Sequence, residues 1–99
     1  MRLWKKNLPG VIWLQCWNNT INAVKAWLKK HGASSVEIPV YISHLRDLLN
    51  QRSASGYEKK LAEFQVLWSK PFYQYFMAEI HNQVLIVIAT YLMMNYLHL

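Results

Sequence analysis

One cysteine, four histidines and five carboxylates are the groups on this chain that could do chemistry. A zinc site takes about four ligands at recognisable spacing. Cys16 with His31, His44, His81 and His98 offers no such spacing, so neither a metal nor a cofactor is expected. Cys16 as a nucleophile would need an adjacent base. The sequence nominates none, and a buried structural cysteine is the simpler reading. Two-metal phosphoryl chemistry needs several acids converging on one point. Here Glu58 sits at capping-box spacing, Asp47 and Glu63 fall beside basic residues on solvent faces, and Glu37 and Glu79 stand apart. His44 and His81 read as surface or half-buried groups. No catalytic set emerges.

Binding is better represented. Lys25, Lys29 and Lys30, followed by His31, crowd one side and the end of a helical stretch, and they are the best candidates for contact with a polyanion such as DNA. Eleven Lys and Arg against five Asp and Glu give a net charge of +6. The bland alternative is a solvated lysine face, with His31 compensating the dipole at a helix C-terminus. Trp17, Trp27 and Trp68 lie near lysines and could stack bases, but aromatics at helical spacing read first as core.

The elements that must position these residues are helical. Hydrophobic residues make up 54% of the 99 positions and aromatics 14%, enough apolar surface to offset the ordering entropy of one domain at most. Three Gly and three Pro leave little material for the turns of an all-β sandwich. A single cysteine excludes an internal disulfide. Basic residues before a short apolar run at Val11–Leu14 resemble a signal peptide only superficially, because that run is too short.

Residues 1–10 form a basic lead-in ending in a turn at Pro9-Gly10. Val11–Cys16 is short, apolar and β-prone, and is expected to be a lone strand. A first helix then follows Asn18 or Asn19 as N-cap. Ile21, Val24 and Leu28 line its apolar face and Gly32 stops it in the left-handed conformation. Pro39 suits the first turn of a second helix, in which Tyr41, Leu45, Leu48 and Leu49 share a face; a strand over Val36–Ile42 competes with its first half. Ser55 and Glu58 have the spacing of a capping box at the head of a third helix, striped by Tyr57, Leu61, Phe64 and Trp68. Ser69-Lys70-Pro71 ends that helix and begins a fourth, with Phe72, Tyr75, Phe76 and Ile80 on its apolar side. Residues 82–99 carry no charge and are apolar nearly all round. A membrane span needs roughly 20 apolar residues, and this tail comes close, with Val84, Leu85, Ile86, Val87, Ile88, Leu92 and Met93 as its apolar body. It reads as a marginal anchor or as a buried terminal segment.

Three stretches, CWNNTINAVKAWLKKHGAS, VYISHLRDLL and YEKKLAEFQVLWSKPFYQYFMAEIH, resemble the central part of Mutator-like transposases and the host proteins derived from them. The resemblance covers residues 8–81. It implies an RNase H-like catalytic domain with an Asp-Asp-Glu metal triad, a Cys-x-x-His motif after the second Asp, and a helical insertion before the Glu. Cys16 matches the motif cysteine, and Asn19 stands where its histidine would be. Val11–Cys16 would match a strand of the RNase H-like sheet and residues 19–81 the start of the insertion. The triad falls outside the matching residues, so the resemblance implies a chain that is not itself an enzyme.

The expected protein is mainly α, a small bundle of four to five helices with one short N-terminal strand. It divides into a lead-in (1–10), a transposase-like fragment (11–81) and an apolar tail (82–99). Its expected function is non-catalytic nucleic-acid binding through the basic helix, in the nucleus if the derivation holds. The alternatives are a small basic protein held at a membrane by its tail, or a product under no selection. An apolar tail and an unpaired strand also raise the expectation of oligomers.

Overall fold

The computed structural model describes residues 10–97, and of Tyr91 and residues 94–97 the backbone alone. Four helices account for most of these residues: α1 (Gly10–Lys30), α2 (Glu37–Leu49), α3 (Ala54–Leu67) and α4 (Lys70–Leu97). No strand occurs among the described residues. The mainly α bundle is therefore as expected, with four helices. The basic lead-in lies outside the described residues except for Gly10, which opens α1.

The lone strand is corrected. Val11–Cys16 is the first turn and a half of α1. The reason is periodicity that begins earlier than Ile21. Trp13, Cys16, Trp17, Thr20, Ile21, Val24 and Leu28 are all buried, and their spacing of three and four residues is that of one continuous helical stripe. A strand would have turned half of these side chains to solvent with no partner strand for its backbone. Asn18 and Asn19 are consequently not caps but exposed residues in the middle of a 21-residue helix. Thr20 is buried within it and donates its hydroxyl to the Cys16 carbonyl at 2.9 Å.

Gly32 ends α1 as expected, at φ +81°. Its N–H donates to the Lys29 carbonyl and the Ala33 N–H to that of Leu28, at 3.2 and 2.9 Å. This pair of bonds satisfies carbonyls that the helix end would otherwise orphan. A reciprocal capping box occurs, but at Ser34 and Glu37 rather than at Ser55 and Glu58. The Glu37 N–H donates to Ser34 Oγ at 3.1 Å, and the Ser34 N–H to Glu37 Oε1 at 3.3 Å. Pro39 follows in the first turn of α2, and the competing strand at Val36–Ile42 does not form. Ser53 caps α3, accepting from the Gly56 N–H at 3.0 Å. Ser53 takes the cap role because its backbone is extended, whereas Ser55 already lies inside the helix. Ser69 does the same for α4 through the Phe72 N–H at 3.3 Å.

α4 packs on α1, α1 on α2, and α2 on α3. Trp17 meets Phe76 with ring centroids 6.3 Å apart, and Trp27 meets Phe72 at 5.7 Å. Position rises along α1 while it falls along α4, so the two helices are antiparallel. Phe64, Trp68, Phe72 and Phe76 build the aromatic centre, with Phe72 and Phe76 at 1% and 0% exposure. The His81/Asn82 boundary falls inside α4, which runs unbroken through it. Val87 belongs to the main core and Val84 packs against it. α4 is 28 residues long and α1 is 21. At about 1.5 Å per residue α4 outruns α1 by roughly 10 Å.

Candidate nucleic-acid interface

The apolar stripe of α1 leaves a polar line beside it. Asn18, Asn22, Lys25 and Lys29 fall at i, i+4, i+7 and i+11, which aligns them along the helix. On α2 and its C-cap, Ser43, Arg46 and Asn50 repeat at i, i+3 and i+7. Packing of α1 on α2 brings the two lines together over an open cleft of about 450 Å³, lined by Asn18, Ile21, Asn22, Lys25, Arg46, Leu49 and Asn50. A second cleft of about 350 Å³ continues along the same seam between Lys25, Ile38, Pro39, Ile42, Ser43, Arg46 and Asp47. Lys25 and Arg46 line both.

The lining of the first cleft decides what it can do. Three carboxamides, one ammonium and one guanidinium offer many donors, and Arg presents them in a fork that matches phosphate oxygens. Ile21 and the half-buried Leu49 form an apolar base, where charge–charge attraction is screened less than in open water. No carboxylate, imidazole, thiol or hydroxyl lines it. The second cleft carries Asp47, whose charge opposes an anion. The first is the better anion site.

Of the residues expected at the interface, Lys25 lines both clefts, and Lys29 and Lys30 are exposed in the last turn of α1. His31 is also exposed. Its Nδ1–H donates to the Trp27 carbonyl at 2.8 Å, which fixes the ring on the helix end. The His31 ring stacks on Trp27 with centroids 3.8 Å apart, and Tyr75 stacks on the same indole at 4.9 Å. Two parallel rings so near one centroid would collide if they shared a face, so they cover opposite faces of Trp27. Trp17 and Trp68 are buried at 2% and 5% exposure. None of these three indoles has a face to offer a base. Arg46, Asn18, Asn22 and Asn50 were not among the expected residues. For Asn18 and Asn22 the sequence carries a signal in the polar line at helical spacing on α1; nothing local couples them to Arg46 and Asn50.

Cys16 is buried at 1% exposure and Asn19 is exposed. One helix thus turns the two motif positions to different surroundings. Burial pushes the Cys16 thiol up to about 11, against a smaller opposing effect of the Thr20 hydroxyl. Among the described residues no three His, Cys, Asp or Glu side chains are grouped to hold a metal ion.

The apolar residues of the tail divide. Val87 is core and Val84 and Ile88 are half-buried, whereas Leu85, Ile86, Leu92 and Met93 are exposed. Among the described residues no helix is long and apolar enough to cross a membrane.

Comparison with known protein families, curated proteins and solved structures finds no match to this chain.

Proposed function

We propose that this protein is a non-catalytic helical module that grips the phosphate backbone of nucleic acid along the seam between α1 and α2. The observation that carries the reading is that Lys25 and Arg46 line one cleft with Asn18, Asn22 and Asn50, while Asp47 lines only the neighbouring cleft. Lys29 and Lys30 extend the positive surface from the end of the same helix. The covered indoles favour backbone contact over base stacking, hence weak sequence dependence and no preference for single strands. The resemblance of residues 8–81 to Mutator-like transposases points in the same direction. We read the chain as derived from such a protein and acting in the nucleus. The rival, a basic protein anchored by its tail, has less in its favour, because Val84 and Val87 pack within the bundle.

Fluorescence anisotropy with a labelled duplex tests the proposal. Affinity in the nonspecific range, about 10⁻⁴ to 10⁻⁶ M, is expected, with log K falling against log salt at a slope of about −3 to −4 for four phosphate contacts. Lys25→Gln with Arg46→Gln should lower that slope by about 2 while leaving the helical circular dichroism unchanged. Binding indifferent to salt, or to this double substitution, overturns the assignment.

A further inference from the structure

We infer that α4 carries a homodimerisation seam on the face opposite the core. Phe72, Phe76, Ile80 and Val87 turn one side of α4 into the bundle. Ala78, Asn82, Leu85, Ala89 and Leu92 are all exposed and run at i, i+4, i+7, i+11 and i+14, diametrically opposite. This is the alternating four-and-three spacing of a coiled-coil seam, in which Ala78, Leu85 and Leu92 occupy d positions and Asn82 and Ala89 occupy a positions. Ile86 and Met93, at 49% and 64% exposure, widen the strip on one flank. Over residues 82–90, 92 and 93 the apolar side chains therefore divide between two faces, one buried and one presented.

Three observations make the occupant a second copy of this chain. First, the stripe contains no charged residue and no charge follows Glu79, so two chains of net charge +6 can meet here without apposing like charges. Second, a heptad strip is self-complementary: the same residues on both copies interleave across a two-fold axis. Small Ala78 and Ala89 leave room for Leu85 and Leu92 of the other copy to enter. Asn82 is the one polar member, and an asparagine at an a position favours a parallel two-stranded register, in which its carboxamide meets its own counterpart. Third, the size fits a reversible dimer. Residues 78–93 span roughly 24 Å, and a helix face about 10 Å wide gives about 500 Å² of flat area in the pair; side-chain ridges roughly double the accessible area, to on the order of 1,000 Å², the low end for specific association. A weak parallel dimer would set two α1–α2 seams side by side on one polyanion, raising avidity without new contacts.

Sedimentation velocity of the full chain, from about 1 to 200 μM, tests this. A monomer–dimer equilibrium is expected, and Leu85→Glu should leave only monomer while the helical circular dichroism and the thermal midpoint stay as in the parent. Asn82→Cys, oxidised at low concentration, should give a covalent dimer through residue 82, since Cys16 is buried. A chain that stays monomeric throughout, a dimer unaffected by Leu85→Glu, or a monomer that instead binds neutral lipid vesicles through Leu85 and Leu92 overturns the proposal. Loss of dimer with retained salt-dependent binding to duplex separates its failure from failure of the phosphate site.

Discussion

Trp68 donates its indole N–H to Nδ1 of His44 at 2.9 Å, and this bond ties the corner between α3 and α4 to the middle of α2. The same imidazole stacks on Phe64 with centroids 4.4 Å apart and meets Tyr41 edge-on at 6.4 Å. Because Nδ1 accepts, the neutral ring must carry its proton on Nε2. Adding a second proton at Nδ1 removes the acceptor and turns two N–H donors toward each other.

The stability of the bundle should therefore depend on pH through His44. Burial holds its pKa below the ordinary 6.5, with Asp47 opposing and Lys60 reinforcing the shift. The unfolded chain then binds a proton more readily than the folded one. The contribution is complete above about pH 6.5 and is lost as pH falls from there toward the folded value. Urea titrations between pH 8 and 5 should show the midpoint falling in the acid half of that range, and His44→Gln should flatten the fall. An equally steep fall in that variant would place the titrating group elsewhere.

Gly32→Ala isolates a backbone effect. Nothing lies within 4 Å of where the new methyl would stand, yet the residue sits at φ +81°. A loss of about 1 kcal/mol is expected from the left-handed conformation alone, read as an earlier urea midpoint with an unchanged slope. A neutral result would mean that the end of α1 re-forms without the bond between Gly32 and Lys29.

Cys16 should report global unfolding. With a thiol pushed up to about 11, thiolate at pH 8 amounts to about one part in a thousand, and the sulfur is buried besides. Iodoacetamide should leave the native chain unmodified over hours and label it quickly in urea. The labelling rate should rise with denaturant in step with the loss of circular dichroism. Rapid labelling of the native chain would contradict a closed contact between α1 and α4.

Much of this was legible in residue spacing. The stripes of the second, third and fourth helices, the stop at Gly32 and the junction at Ser69-Lys70-Pro71 are local features, because i, i+3, i+4 repetition and capping chemistry act within a few residues. Two local choices could not be settled that way. Val11–Cys16 satisfies β propensity and helical periodicity equally over six residues, and only the continuation of its buried stripe through Trp17, Thr20 and Ile21 decides between them. The cap expected at Ser55 stands instead at Ser53, whose extended backbone starts the helix two residues earlier.

The candidate site was half legible. Lys25, Lys29, Lys30 and His31 stood out by charge. Arg46 and Asn50 lie more than twenty residues away in the chain, so no spacing rule couples them to Asn18, Asn22 and Lys25.

By itself, then, the sequence determined the mainly helical class, the apolar faces of residues 21–28, 41–49, 57–68 and 72–80, and the uncharged character of everything after Glu79, since those depend on neighbours one turn away. Tertiary structure alone decided the rest: that Lys25 and Arg46 line one cleft, that Trp27 lies between His31 and Tyr75, and that Val87 is core while Leu85 and Leu92 are presented. The physical reason is that burial and pairing are properties of contact between helices, and two helices with the same stripes can be packed in more than one order until side-chain volumes and hydrogen bonds such as that of Trp68 to His44 select one.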